Sequence, residues 1–164
     1  MELEQARAVA AALVEELAPC CDLIEVAGSI RRERPLINDI DLVIVPHNQG
    51  QLAAKLYALG CRFGGPKLQR FVYQGASVDI YIATEETFPM LLLVRTGSAA
   101  FNRDLAMRAK RMGLHYAADG RGILFAADGR DILKAGQRVA WRSEEEILQA
   151  LWLPYIEPSR RERL

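Results

Sequence analysis

The sequence predicts an α+β fold, and three observations carry that prediction. Residues 3–18 place Leu3, Ala6, Val9, Ala10, Leu13 and Leu17 at the three- and four-residue spacings of an amphipathic helix. Segments of strand character follow at 21–29 and 39–46, and a second pair, 68–74 and 77–83, brackets a turn. Beyond residue 90 helical patterns alternate with short glycine-bounded strands. The expected architecture is a mixed sheet with helices on one side over 1–90, followed by a small α/β lobe over 91–164.

The elements are justified in chain order. The first helix stops at Pro19. CDLIEVAGS then reads as a strand ending in a Gly-Ser turn, and IRRERPLIN is a charged connection broken by Pro35. DIDLVIVP is a strand closed by Pro46, and 49–60 is a short helix (Leu52, Leu56, Leu59) ending at Gly60. LQRFVYQ and SVDIYIA flank Gly75-Ala76 as a hairpin. EETFPMLLLVRTGS forms a helix ending near Gly97, and 99–113 a second one stopped by Gly113. Gly120, Gly122 and Gly129 set off short strands at 114–116 and 122–126. In SEEEILQAL, Ser143 is the N-cap and Glu146 holds the capping-box position. The tail YIEPSRRERL reads as polar and exposed.

Composition narrows the function classes. A chain of 164 residues, 51% of them hydrophobic, supplies an ordinary core without staples. No run approaches the roughly 18 uninterrupted apolar residues needed to cross a bilayer. Glu2, Glu4, Glu15 and Glu16 are wrong for a signal peptide, so a cytoplasmic protein with no membrane partner is expected. Cys20, Cys21 and Cys61 form neither a disulfide framework nor a metal motif, and His47 and His115 are too few for a zinc site. The net charge of zero hides an asymmetry. Residues 1–90 carry eight Lys and Arg against twelve Asp and Glu, whereas 91–164 carry thirteen against nine. An acidic half suits cations and a basic half suits a polyanion.

Asp39 and Asp41 lie two apart on a strand, so they share one face about 7 Å apart at the Cα level. A divalent cation joins such a pair, or else the pair is a solvated strand start. In SVDIYIA, Val78, Ile80 and Ile82 form one face and Asp79 and Tyr81 the other. Three carboxylates on adjacent strands could hold two metals, or Asp79 caps an exposed face. Gly28-Ser29, followed by Arg31-Arg32, offers backbone N–H groups, a hydroxyl and a guanidinium fork to phosphate, though a plain surface turn has the same composition. The joint pattern is Gly28-Ser29, nine residues, Asp39-Ile40-Asp41-Leu42 and a later Asp79.

That joint pattern resembles the nucleotidyltransferase superfamily signature, and within it the family X DNA polymerases, to which DNA polymerase beta belongs. GSIRRERPLINDIDLVIVP resembles their Gly-Ser-x-Arg-Arg motif and metal strand, RTGSAAFNRDLAMRAKRMGL their Thr-Gly-Ser-x-x-Phe-Asn segment, and LPYIEPSRRERL their Tyr-x-x-Pro ending. The resemblance implies a nucleotidyltransferase palm over 1–90 and a thumb-type lobe over 91–164, the minimal form of the family seen in a viral member, without fingers or lyase domain. It implies that Asp39, Asp41 and Asp79 hold two Mg²⁺ ions, with Mn²⁺ able to substitute, and that Asp79 activates a primer 3′-hydroxyl. It implies that Gly28, Ser29, Arg32 and Asn38 bind the nucleotide triphosphate, and that Val94, Arg95, Gly97 and Asn102 line its sugar and minor-groove edge. Arg103 matches a position near the templating base.

Three departures qualify the match. Val94-Arg95 stands where the family commonly has Tyr-Phe, so the aromatic barrier to a ribose 2′-hydroxyl is missing and the choice between dNTP and rNTP is left open. Ala106 replaces a template-contacting Arg, and Asn38 replaces a Gly before the metal strand. The helix from Asn102 to Gly113 carries Arg103, Arg108, Lys110 and Arg111, with Arg103, Lys110 and Arg111 on roughly one face suited to DNA phosphates. The expected activity is therefore template-directed DNA synthesis by a monomer on primer-template or gapped DNA. A template-independent nucleotidyltransferase with another acceptor and a non-catalytic DNA-binding module are the alternatives.

Overall fold

The computed structural model describes residues 1–62, 64–128 and 132–164. Gly129, expected to set off a strand, lies outside the described residues. The chain divides into two compact units, Met1–Glu85 and Glu86–Leu164.

The first unit begins with helix α1 (Leu3–Leu17), whose Ala6, Ala10, Leu13 and Leu17 are buried. Pro19 cannot donate to a continuing α-helix, and the chain tightens there into a 3₁₀ turn at Ala18–Cys20. Strand β1 (Cys21–Val26) leads into α2 (Gly28–Arg31), and β2 (Asp39–Pro46) and α3 (Gln49–Ala58) follow. A hairpin of β3 (Leu68–Tyr73) and β4 (Ala76–Ile82) completes the unit. The sheet order is β1-β2-β4-β3. β2 and β4 run parallel, and the outer pairs are antiparallel, so the sheet is mixed. Alternation does the sorting: Ile40, Leu42 and Ile44 of β2 and Ala76, Val78 and Ile80 of β4 pack in one core with α1 and with Leu52 and Leu56 of α3.

Two local expectations need correction. Gly28-Ser29 does not form a simple turn; it opens the one-turn helix α2, in which Arg31 N–H donates to the Ala27 carbonyl and Arg32 N–H to that of Gly28, both at 3.2 Å. The β3–β4 turn sits one residue earlier than expected. Gln74 and Gly75 occupy it at φ +48° and +81°, as a type I′ turn demands, while Ala76 already pairs with Tyr73.

In the second unit, α4 (Phe88–Thr96) ends at Gly97, and α5 (Ala99–Arg111) starts from Ser98, whose Oγ accepts the Phe101 N–H at 3.2 Å. Strands β5 (Leu114–Ala117), β6 (Gly122–Phe125) and β7 (Arg138–Ala140) form an antiparallel sheet in that order. β7 had no signal beyond Arg-Val-Ala. Helix α6 (Glu144–Ala150) follows. Met90, Leu93, Phe101, Leu105, Ala109, Ile123, Ile147 and Leu148 form the core. Among the described residues no helix is long and apolar enough to cross a membrane.

The tail is the largest correction. Rather than ending exposed, it places Arg161 at 0% exposure, where Nη1 meets Glu144 Oε1 at 2.7 Å and Nε donates to the Ile156 carbonyl at 2.8 Å. Ser98 reaches the same segment twice: its N–H donates to the Arg161 carbonyl and its Oγ to the Glu162 carbonyl, both at 2.8 Å. At α6 half of the expected capping box forms, Ser143 Oγ accepting the Glu146 N–H at 3.0 Å, and the reciprocal half differs for Glu146. Its carboxylate accepts the N–H groups of Trp141 (2.9 Å) and Arg142 (2.7 Å), further back than Ser143.

Candidate active site

Register brings the acids of the first unit together. Because Ile40, Leu42 and Ile44 face the helices, Asp39 and Asp41 face the other way, and Asp41 stands directly opposite Asp79 on β4. Asp39 pairs with Ser77. Neighbouring strands run about 4.8 Å apart, so Asp41 and Asp79 are lateral neighbours on one sheet face.

Like charges directly opposite repel, and each carboxylate is drawn to its own side. Asp79 is gripped by Arg70, its register partner on β3: Nε donates to Oδ1 at 2.8 Å and Oδ2 at 3.0 Å, and Nη2 to Oδ2 at 2.8 Å. The Tyr81 hydroxyl adds a contact at 3.3 Å. The hydrogen bond to Asp79, and then its charge, raise the Arg70 pKa. Asp41 lies over Gly28 instead. A Cβ on Gly28 would meet Asp41 Oδ2 at 1.9 Å, and Gly28 has φ +58°. Only glycine satisfies both conditions. Among the described residues, no three His, Cys, Asp or Glu side chains converge as a ready metal cluster. The backbone aligns the three acids, while Arg70 holds the Asp79 carboxylate and the Asp41 carboxylate lies by Gly28.

Beside them, the Ser29 Oγ is buried with no hydrogen-bond partner among the described residues. Arg32 caps α2 and is half-buried, and Asn38 is exposed next to Asp39. A buried hydroxyl without a partner carries a desolvation cost that a phosphate oxygen would relieve.

In the second unit, Val94 and Arg95 lie half-buried in the last turn of α4, and Gly97 follows at φ +76°. Asn102 is fixed from two sides: its Nδ2 donates to the Val94 carbonyl at 2.8 Å, and its Oδ1 accepts the Tyr116 hydroxyl at 3.0 Å. Burial pushes the Tyr116 phenol well above its ordinary pKa, so it remains a donor at neutral pH. Arg103, Lys110 and Arg111 are exposed along α5. Arg108 has another task, donating through Nε to the Leu151 carbonyl and through Nη2 to that of Trp152 (3.4 Å) at the end of α6.

Residue-by-residue reading missed Arg70, Tyr116 and the Glu144–Arg161 pair. Arg70 had a signal, since the hairpin register places it opposite Asp79 once the turn is set at Gln74-Gly75. The other two depend on tertiary packing.

The DNA polymerase beta thumb family matches residues 91–162. Bacillus subtilis (strain 168) DNA polymerase/3′-5′ exonuclease PolX is 29% identical over 144 residues, 83% of this chain. The chain is thus similar to a DNA polymerase beta thumb over 91–162 and to that PolX over most of its length. It spans about a quarter (24%) of the length of that PolX. A crystal structure of Leishmania infantum polymerase beta in a ternary P/T complex shares the α+β fold, with a TM-score of 0.80 and 21% identity over 99% of this chain and 76% of that one. The thumb match lies within the second unit, and the PolX similarity extends beyond it, because 144 residues cannot fit in either unit alone.

Proposed function

We propose that the chain is a template-directed DNA polymerase that joins a nucleotide to a primer 3′-hydroxyl during short-gap repair, the first unit serving as its palm. One observation carries the reading: Asp41 faces Asp79 across a parallel strand pair, with Asp39 on the same face. Hard carboxylate oxygens beside a glycine turn suit Mg²⁺ and a triphosphate together. Asp39, Asp41 and Asp79 would hold two such ions, which supply charge stabilisation to the transferring phosphoryl group and lower the pKa of the attacking hydroxyl.

The chain's own residues do the positioning. Asp41, seated over Gly28, ties the acid face to the α2 turn, where the Ser29 hydroxyl and Arg32 hold phosphate oxygens. Arg70 fixes the azimuth of Asp79, the acid assigned to the primer hydroxyl. Gly97 and Asn102, whose amide is fixed from two sides, are assigned to the sugar and minor-groove edge of the incoming nucleotide. With Val94-Arg95 in place of an aromatic pair, the sugar pocket admits rNTP as well as dNTP. Arg103, Lys110 and Arg111 contact DNA phosphates.

The test is single-nucleotide addition to a labelled primer in gapped, recessed and single-stranded DNA, with each dNTP and rNTP, in Mg²⁺ and Mn²⁺. Template-matched addition that vanishes in Asp41→Ala and Asp79→Ala, both still folded by circular dichroism, is the expected result. Either variant working at the wild-type rate refutes the assignment. Addition indifferent to template makes the chain a terminal transferase, and no addition to any primer leaves a transferase with another acceptor or a binding module.

A further inference from the structure

Helix α6 ends in a Schellman motif: Leu153 N–H donates to the Leu148 carbonyl at 3.0 Å and Trp152 N–H to the Gln149 carbonyl at 2.8 Å. The motif's left-handed position, where glycine is the usual residue, is held by Trp152 at φ +57°. An L side chain there is strained, and a large aromatic could offset that strain by burial. Trp152 does not: it is 79% exposed. A local rule broken without a packing gain points to a function for the side chain.

The indole borders a groove of about 540 Å³ between α5 and the tail, lined also by Met107, Met112, Leu164, Arg111 and Arg163. Met107 and Leu164 are exposed apolar surface as well. The groove is positively charged. Among the lining side chains three arginines, Arg108 included, outnumber one carboxylate, Asp104, which accepts the Leu164 N–H at 3.2 Å and lies 3.8 Å from Arg163. Arg111 belongs both to this groove and to the exposed basic face of α5. An aromatic surface and methionines set among arginines match a polyanion that carries flat apolar groups. Single-stranded DNA has that composition, whereas duplex DNA hides its base faces.

We infer that this groove is a single-stranded DNA subsite, in which Trp152 stacks on a base and Arg111 and Arg163 contact phosphates. The inference goes beyond the polymerase reading and requires no catalysis. It is tested by titrating a labelled oligothymidylate against the wild-type chain, Trp152→Gly and Arg111→Gln over a range of salt. Trp152→Gly is expected to bind about five- to tenfold more weakly, the loss of one stacked base. It should also melt a few degrees higher, because glycine adopts the left-handed position without strain. Gain of stability with loss of binding excludes misfolding as the cause. Arg111→Gln is expected to lower the slope of log K against log salt by about 0.7, one phosphate contact on a single strand.

Binding by Trp152→Gly at wild-type affinity overturns the inference. So does an oligoglutamate that displaces the DNA at equal concentration, which would make the groove an acidic-peptide site, or a wild-type dimer that Trp152→Gly dissociates. Primer extension on the same samples separates the two readings. Trp152-dependent binding without extension refutes the polymerase alone, and extension with binding indifferent to residue 152 refutes the subsite alone.

Discussion

Gly28→Ala probes the junction between the acid face and the phosphate turn. Two terms oppose the substitution. Gly28 sits at φ +58°, a conformation that costs an L residue about 1–2 kcal/mol. The new Cβ would stand 1.9 Å from Asp41 Oδ2, 2.8 Å from Cγ and 3.0 Å from Cβ, so the Asp41 carboxylate must leave its rotamer, at about 0.5–1.5 kcal/mol. The sum is about 1.5–3.5 kcal/mol, which a domain of ordinary stability survives. Gly75→Ala calibrates the first term in the same unit, because Gly75 has φ +81° and a Cβ there meets nothing within 4 Å. Urea melts of the two variants should differ by the rotamer term, about 1 kcal/mol. In single-nucleotide incorporation, displacement of Asp41 by an ångström or more should slow Gly28→Ala by about a hundredfold, with Gly75→Ala at the wild-type rate. Gly28→Ala no less stable than Gly75→Ala would refute the Asp41 contact. Gly28→Ala within a few-fold of wild-type turnover would refute the role of that contact in the reaction.

Three further outcomes are expected. Removing one partner of the buried Glu144–Arg161 pair, by Glu144→Gln or Arg161→Met, should destabilise the second unit by about 3–5 kcal/mol in urea melts, and the Glu144→Leu/Arg161→Met double variant should recover most of the loss. For Glu146, burial would raise the carboxyl pKa, but the N–H groups of Arg142 and Trp141 and the Arg142 guanidinium outweigh it and hold the value below the ordinary 4.5. A carboxyl held low contributes stability that is present above pH 4.5 and is lost as pH falls through its folded value, so the gap between wild type and Glu146→Gln should close as pH falls below 4.5 in acid titrations of the melting midpoint. Arg103→Gln and Lys110→Gln should each reduce the salt slope of duplex binding by about 0.9, measured by anisotropy, while Arg108→Gln should lower the melting temperature through loss of its bonds at the end of α6.

The fold was readable where periodicity and punctuation agreed. The spacing of Leu3 to Leu17 with Pro19 behind it, and the apolar run of β2 ending at Pro46, needed no tertiary information. Register was less legible, and the β3–β4 hairpin shows why. Setting its turn at Gly75-Ala76 pairs Asp79 with Val72; moving the turn back by one residue moves the pairing by two and places Arg70 opposite Asp79. A one-residue error in a turn thus concealed the cation that grips a site acid. The tail failed for a different reason. SRRERL reads as solvated because isolated charges avoid the interior, but Glu144, seventeen residues earlier, makes burial of Arg161 affordable, and sequence does not say that α6 will present it there.

The structure also separates charged groups that hold the fold from those that point to chemistry. Arg161 is fully buried, and its guanidinium is matched by the Glu144 carboxylate and the Ile156 carbonyl, so its polarity is answered inside the unit. At Asp41 and Asp79 it is the placement that breaks a local rule, even though Arg70 answers the Asp79 charge. Two carboxylates stand in direct register on adjacent strands, where an apolar or mixed pair would be more stable, and beside them the Ser29 hydroxyl is buried without a partner among the described residues. Trp152 repeats the pattern in the second unit, with a strained backbone and an exposed indole where glycine would be easier. Local rules are broken at the acid face, the glycine turn and the end of α6. They are kept at Arg161, which no ligand can reach. That contrast assigns Arg161 to the fold, and the proposed binding rests on the other three places.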